Sequence, residues 1–403
     1  MHICVLPHLF PARSETFVRE HVVGMAKRGH RITVIARSMG SDISPNELSE
    51  LDALGIQRIY LGEYPSTLKS IARAGLAAIR HPSLFNPLRH PLPWSRQELL
   101  TAISAANWIK RLDPTILHYH FGNHAARLLR VAPMLPALPP MLVTWHGYDA
   151  NAIPRQLGNN VYHDLFETDA HHTVGSTFMR NRLQTLGARD ESLSQVPMGI
   201  DLQKFAFRER LIGGGGPLRV LSVGRLEEVK GHEFLIKASS LLLARGIELD
   251  LRIIGGGRLK DKIERQIIDA GLERHVKLLG ALPSRSVVEE MHGAHVFALT
   301  GIEEESGKVE SQGLVYAEAQ ATGLPAVGSD AGGVPETIIH GETGIICRPG
   351  DPSSIADALE HFAHNPMEIA RYGKQARRLV ENRYSIESML DRFEAIYSEM
   401  AHQ

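Results

Sequence analysis

Two glutamates and two cations have the types and spacing to do chemistry in this chain. Glu310 opens the run ESQGLVYAEAQATGLPAVGSDAGGVPE, and Glu318 follows within it after Gly313. Leu314 to Ala321 strings together good helix formers, so Gly313 stands at the start of a predicted helix. That puts Glu310 in the loop before the helix and Glu318 one turn inside it. A loop that enters a helix through glycine leaves backbone N–H groups unpaired with the positive dipole end behind them, a seat for phosphate oxygens. Glu318 can then accept hydrogen bonds from sugar hydroxyls, and Glu310 points at whatever the phosphate carries. The ligand so described is a phosphate flanked by two polyols, a nucleotide sugar. Taken alone, the two acids read more plainly as a solvated loop charge and an exposed helix residue, and the surrounding sequence is what shifts the balance.

The cations are Arg225 and Lys230, in Gly224-Arg-Leu-Glu-Glu-Val-Lys-Gly231 between a predicted strand, Leu218 to Val223, and the helix after it. At such a turn an arginine fork and a lysine point charge can grip the two phosphates of a diphosphate. Surface cations without a partner are the alternative. Another predicted strand, Leu249 to Ile254, ends in Gly255-Gly256-Gly257, a backbone that a ligand can approach closely. The nucleotide base is expected between that turn and the strand at Val276 to Gly280. Beyond Glu318, Thr322-Gly-Leu-Pro325 stops the helix, Ala326 to Ser329 is a short apolar strand, and Gly332-Gly333 precedes another short helix around Pro335 to Ile339. In open α/β sheets ligands bind at the carboxyl ends of the strands, where these loops fall.

The run from Glu310 resembles the donor-binding pattern of family-four glycosyltransferases, which have the GT-B fold and retain the anomeric configuration. Both glutamates, the later glycines and the G-R-x-x-x-x-K-G phrase match; Ser311, Gln312 and Ala326 depart, where glycine, an aromatic and valine are usual. The resemblance implies donor contacts from Gly224, Arg225, Lys230, Gly255, Gly256, Glu310, Gln312, Gly313, Leu314 and Glu318. Val196-Pro-Met-Gly-Ile-Asp201 with Phe205 is similar to the phrase found where such chains leave their first domain. Thr144-Trp-His146-Gly is similar to the family's T-(F/W)-H-G phrase and implies that His146 hydrogen-bonds the transferring sugar or supports the leaving charge. His146, Arg225, Lys230 and Glu310 are therefore the expected catalytic set. The opening phrase Ser14-Glu15-Thr16-Phe, with Gly29-His-Arg-Ile-Thr-Val34, resembles a subgroup near the colanic-acid enzymes in which this loop faces the cleft. Ser14 as a plain helix cap is an equal alternative. With Ser14, Glu15 and Thr16, His120 and Asp149 complete the expected acceptor side.

The positioning elements alternate strand and helix in both halves. His2 to Leu6 is a buried strand, Glu15 to Arg28 a helix ending at Gly29, and Arg31 to Ala36 the next strand. No G-x-G-x-x-G joins them, so a dinucleotide site there has no support. Thr115 to His120, Met141 to Trp145 and Ala170 to Val174 continue the alternation. Between Ser66 and Arg111, cations outnumber a single acid, Glu98, amid apolar residues, a pattern that fits an anionic membrane surface, an anionic acceptor or a solvated basic face. His118, His120 and His124 invite a metal reading, but no cysteine or acid completes the set, and no metal is expected.

A chain of 403 residues, 43% hydrophobic, exceeds one ordinary core and fits two domains. A formal net charge of −1 gives no general attraction to nucleic acid, and two cysteines, Cys4 and Cys347, suit a reducing compartment. No run is long and apolar enough for a membrane span, and the N-terminus lacks signal-peptide character. The expectation is a cytoplasmic protein, with possible peripheral contact at the inner face of the plasma membrane. Two doubly wound α/β domains of parallel sheet are expected to face across a cleft: residues 1–206 for the acceptor, 207–384 for the nucleotide sugar, and a helix over 385–403 crossing back to the first. The inferred reaction is metal-independent hexosyl transfer from a nucleotide-diphosphate sugar, UDP-hexose favoured and GDP-mannose possible, to a hydroxyl of a saccharide or lipid-linked saccharide. An epimerase or phosphorylase of the same architecture, or a non-catalytic nucleotide-binding protein, is the alternative.

Overall fold

The computed structural model describes residues 1–12, 15–41, 43–62, 96–135, 137–210 and 216–402. They form two compact units: Met1–Gly175 with Met179–Val196 and Met389–Gln403, and Pro197–Ser388 with Ser176–Phe178. Ser14, the cations Lys69, Arg73, Arg80 and Arg89 of the expected basic segment, and Gly213 to Gly215 of the expected linker lie outside the described residues.

The first unit is built on seven strands, β1 (His2–Leu6), β2 (Arg31–Ala36), β3 (Gln57–Tyr60), β4 (Ile116–His120), β5 (Met141–Trp145), β6 (His171–Val174) and β7 (Leu193–Gln195), in the order β3-β2-β1-β4-β5-β6-β7. Every neighbouring pair is parallel. Parallel strands need crossover connections, and covering both faces of the sheet explains why β1, β4 and β5 read as unbroken buried runs. The edge strands β3 and β7 escape the sequence reading because they are short and only partly buried, which leaves them no apolar run. Helix Arg96–Leu112 buries Ala102, Ile103, Ala105, Ala106 and Ile109, so its apolar stripe packs on this core.

The last helix, Ile386–Ala401, buries Met389, Leu390, Phe393, Ile396, Tyr397 and Met400, a helical stripe whose residues from Met389 onward cluster with the first unit. Its seat on helix Thr16–Lys27 depends on Gly24, where a Cβ would come within 2.4 Å of Leu390 Cδ1. Arg28 pairs with Asp391 at 2.7 Å and with Glu394 at 2.8 Å.

The second unit has six parallel strands, β8 (Leu218–Val223), β9 (Leu249–Ile254), β10 (Val276–Gly280), β11 (Val296–Leu299), β12 (Ala326–Ser329) and β13 (Gly344–Cys347), in the order β10-β9-β8-β11-β12-β13. Alternate residues feed the two faces. Val220, Ile253, Ala298 and Val327 join the core under helices His232–Ala244 and Pro352–His364. Leu221, Ile254, Phe297, Leu299 and Ala326 join the core under helix Leu314–Ala321. Strand order reverses between β8 and β11, as it does between β1 and β4, which makes the carboxyl ends of each pair a crevice.

Phe393 is fully buried, its ring 4.8 Å from His21 and 5.2 Å from His118. Phe393→Ala is expected to destabilise the first unit by about 3–5 kcal/mol, read as a lower urea midpoint.

Candidate functional site

In the second unit, the loops leaving β8 and β11 meet at the switch point. At Gly231 φ is +65°, and a Cβ there would lie 1.8 Å from the Thr300 carbonyl oxygen, so no other residue fits. Thr300 Oγ1 donates to Gly231 O at 3.0 Å, and the Val229 N–H donates to the Glu304 carboxylate at 3.0 Å. This clasp delivers Lys230 to Glu310: its Nζ donates to Oε2, with the two side chains only 17% and 21% exposed. Glu310 is held from behind as well. Its carbonyl accepts from the Gly333 N–H at 2.8 Å, and a Cβ on Gly332 would stand 2.1 Å from that oxygen. Gly313, in the left-handed region at φ +78°, then turns the chain into helix Leu314–Ala321.

The turn after β9 comes up beside this clasp. The Gly224 N–H donates to Ile254 O at 3.0 Å and the Leu226 N–H to Gly256 O at 2.9 Å, while a Cβ on Gly255 would lie 1.9 Å from Gly224 O. Gly224, Lys230, Gly255, Glu310 and Gly313 are thus brought together at one sheet edge, and Gly256 adds an exposed backbone. Leu314 and Glu318 share a helix face one turn apart, both half-buried.

The electrostatics differ from two free cations. Arg225, 72% exposed, pairs with Glu227 at 2.8 Å, and Lys230 pairs with Glu310. Burial raises the Glu310 carboxyl, but the Lys230 charge and hydrogen bond, the Gly313 N–H and Arg225 outweigh it and hold the group below the usual range. Glu318 has no such help: burial lifts it to about 7 against the opposing charge of Lys204.

Gln312 has a different task from the donor contact expected of its side chain. Its amide is buried and spent on the Met198 backbone, accepting from N–H at 2.9 Å and donating to the carbonyl at 3.0 Å. Within the same unit, Ser176 Oγ donates to Ser311 O at 2.6 Å and Thr337 Oγ1 to Gln312 O at 2.6 Å, fixing the loop that sequence marked only by its ends.

In the first unit, His146 follows β5 with its ring centroid 4.4 Å from Phe17 and 4.6 Å from Phe121. Phe121 has φ +77°, a conformation that costs a non-glycine residue about 1–3 kcal/mol and tends to mark functional loops. Burial, with His21 nearby, lowers His146 to about 3, so the imidazole is neutral. Two residues expected on the acceptor side are buried and bonded to other groups of the protein. His120 is fully buried, bonded to His146 at 3.0 Å and His21 at 3.3 Å. Asp149 is fully buried too, its carboxylate accepting from the N–H groups of Gly122 (2.8 Å), His146 (3.1 Å) and Gly147 (2.9 Å) to order the loops after β4 and β5. Glu15 is half-buried, raised to about 7 by burial, and Thr16 is exposed.

A cavity of about 310 Å³ opens beside β1, β2 and β4, with His8, Arg37, Glu98, His124 and Arg127 over an apolar floor. Its described lining includes none of Glu15, Thr16, His120 and Asp149. The sequence reading set aside a metal at His118, His120 and His124; in the structure it is His21, His118 and His120 that each bring a ligand atom within 4.8 Å of the others.

Residues 14–204 match the family model described as Glycosyltransferase Family 4, and residues 204–382 match that of Glycosyl transferases group 1. The chain is a family-four glycosyltransferase of the GT-B fold. This glycosyltransferase is 28% identical to the amylovoran biosynthesis glycosyltransferase AmsK of Erwinia amylovora, covering 93% of this chain and 94% of that one. It is also 28% identical to a GDP-mannose-dependent alpha-(1-6)-phosphatidylinositol monomannoside mannosyltransferase of Mycolicibacterium smegmatis, over 76% of this chain and 80% of the other. Among solved structures, Anabaena HepE in complex with UDP superposes with a TM-score of 0.73 at 16% identity, covering 99% of this chain and 100% of that one, a likeness of fold. No helix among the described residues is long and apolar enough to cross a membrane.

The raised Glu318 carboxyl has a cost in stability. Between pH 4.5 and about 7 the folded state keeps a proton that the unfolded state has released, so stability falls as pH rises through that window. Glu318→Gln, which does not titrate, is expected to raise the thermal midpoint of the second unit at pH 8 relative to wild type and to change it little at pH 4. Equal effects at both pH values would contradict the burial account.

Proposed function

We propose that this glycosyltransferase moves a hexosyl group from a nucleotide-diphosphate sugar to a hydroxyl acceptor, with retention and without a metal, in cell-surface polysaccharide or glycolipid assembly. The observation that carries it is the meeting of Arg225, Lys230, Glu310 and the Gly313 helix entrance at the carboxyl ends of β8 and β11. Departure of the nucleotide diphosphate builds charge on the β-phosphate. Cations aimed at that charge stabilise the transition state more than the ground state, the office a divalent metal fills elsewhere. The departing phosphate itself helps to deprotonate the acceptor. His146, neutral, hydrogen-bonds the transferring sugar and does not act as a base.

Glu318, on the helix, holds the ribose, and Glu310, in the loop, holds the sugar that reacts. The relatives include enzymes named for amylovoran biosynthesis and for GDP-mannose dependence, and a structural neighbour binds UDP, which supports a nucleotide-sugar donor of either base. UDP-hexose is the favoured donor, and a panel of nucleotide sugars in a thermal-shift assay selects among them, since a ligand at a hundred times its Kd adds about 2.7 kcal/mol. A saccharide or lipid-linked saccharide is the acceptor.

Release of free nucleotide diphosphate only when an acceptor is supplied separates transfer from epimerisation or simple binding. In that assay Arg225→Ala and Lys230→Ala are each expected to lower turnover about a hundredfold or more with the fold intact. Near-normal turnover in both would remove the diphosphate assignment. Activity should survive excess chelator; loss that manganese or magnesium restores would assign the charge to a metal instead. Calorimetry divides the glutamates. Glu318→Gln should weaken binding of the nucleotide sugar and of the bare diphosphate alike, whereas Glu310→Gln should spare diphosphate affinity and depress turnover.

A further inference from the structure

The cavity at the carboxyl ends of β1, β2 and β4 gathers polar groups that the protein itself leaves unused. Tyr119, on β4, lines it and is only 4% exposed, yet its hydroxyl has no hydrogen-bond partner among the described residues. Tyr119 alternates with His118 and His120 along the strand, so it faces the other side of the sheet, under helices Arg96–Leu112 and Gly122–Val131. Leu6, its partner in register on β1, makes an apolar floor with Ala105 and Leu128. A buried hydroxyl left without a protein partner calls for one from outside.

At the rim stand His8, just past β1, and His124, in the first turn of helix Gly122–Val131, with their rings stacked 5.2 Å apart. Neither ring has a hydrogen-bond partner among the described residues. Burial first, then the charges of Arg37 and Arg127, hold His8 below its ordinary range against the pull of Glu98. Burial first, then Arg127 and His8, lower His124 to about 3. Both rings are therefore neutral, and each offers one N–H and one bare nitrogen.

The charges around the cavity do not cancel. Arg127 pairs with Glu98 at 2.5 Å. Arg37, the residue after β2, is half-buried and has no ion pair or side-chain hydrogen bond among the described residues. Two arginines against one glutamate leave one positive charge over the described lining. A guanidinium fork of this kind suits the paired oxygens of a carboxylate or a phosphate. The volume of about 310 Å³ falls at the small end of the range for small-molecule sites, which fits one compact body. Within the same unit, the His124 ring lies 6.1 Å from that of Phe121, and Phe121 lies 4.6 Å from His146, so Phe121 stands between the cavity and the His146 loop.

We propose that this cavity is a subsite for a sugar unit bearing an oxyanion, a carboxylate or a phosphate, with Arg37 gripping the oxyanion and Tyr119, His8 and His124 meeting the hydroxyls. One negative charge on the ligand balances the one unmatched positive charge, and the apolar floor takes the C–H face of the sugar ring. Its place beside the His146 loop makes that unit part of the acceptor, an assignment that rests on the transferase reading above. The acceptor thereby narrows from a saccharide to an acidic saccharide.

The test is isothermal titration of the full chain, without donor, using glucuronate, glucose 6-phosphate and neutral methyl glucoside. At least one acid is expected to bind about tenfold or more tighter than methyl glucoside, the scale of one hydrogen bond to a charged group. Tight binding of glucuronate alone assigns the oxyanion as carboxylate, and of glucose 6-phosphate alone as phosphate. Arg37→Gln is expected to abolish the preference for acid, whereas Arg225→Ala, at the diphosphate seat of the second unit, keeps it. Tyr119→Phe is expected to weaken acid binding several-fold with a thermal midpoint no lower than wild type, because the hydroxyl it removes bonds nothing in the protein; should Arg37→Gln fail to fold, this variant decides. Equal affinity for all three probes, or no binding of either acid, would overturn the proposal. So would acid binding unchanged in Tyr119→Phe, or a preference lost in Arg225→Ala and kept in Arg37→Gln. If the acids bind through Arg37 but no acceptor releases nucleotide diphosphate, the subsite stands and the transferase reading falls.

Discussion

The Lys230 to Glu310 ion pair is the interaction on which the second unit's site depends. It joins the loop after β8 to the loop after β11, across the point where strand order reverses. Two partly buried charges are held together only because the backbone on each side leaves no slack: Gly231 against Thr300, and Gly332 and Gly333 against Glu310. The pair also keeps Glu310 ionised at neutral pH despite its burial. What results is a candidate site of low net charge, with a cation and a carboxylate paired at each of two positions.

Glu318 shows the opposite balance. Set on a helix face with Lys204 as its opposing charge, it sits near pH 7 and costs the fold stability that a neutral amide would not. The first unit solves its own version of the problem with neutral groups. His146 is backed by aromatic rings and uncharged histidines, and the buried Asp149 spends its charge on backbone N–H groups of the neighbouring loops.

The regular elements were legible in the residues because their signals are local. β1, β2, β5, β8, β9 and β12 fall where apolar runs end in turn residues, and helix Leu314–Ala321 starts at its glycine. The edge strands β3, β7 and β13 were missed because half-exposed strands carry no such run. Arg225, Lys230, Glu310 and Glu318 were singled out from motif and spacing, since a cation pair beside glycines and two acids astride a helix start are written in consecutive residues, and His146 from the family resemblance.

Which of those side chains carry free charge, and which are spent on the protein itself, was decided only by tertiary structure. Gln312, expected as a donor contact, spends its amide on Met198, and His120 and Asp149, expected on the acceptor side, are buried. Helix Thr16–Lys27 is joined to a helix at the far end of the sequence, with Tyr397 bonding His21. By itself the sequence determined the alternation of elements and the chemistry available at each loop, because those depend on neighbours along the chain. Protonation and pairing depend on neighbours in space, and only folding brings Tyr397 to His21 or Lys230 to Glu310.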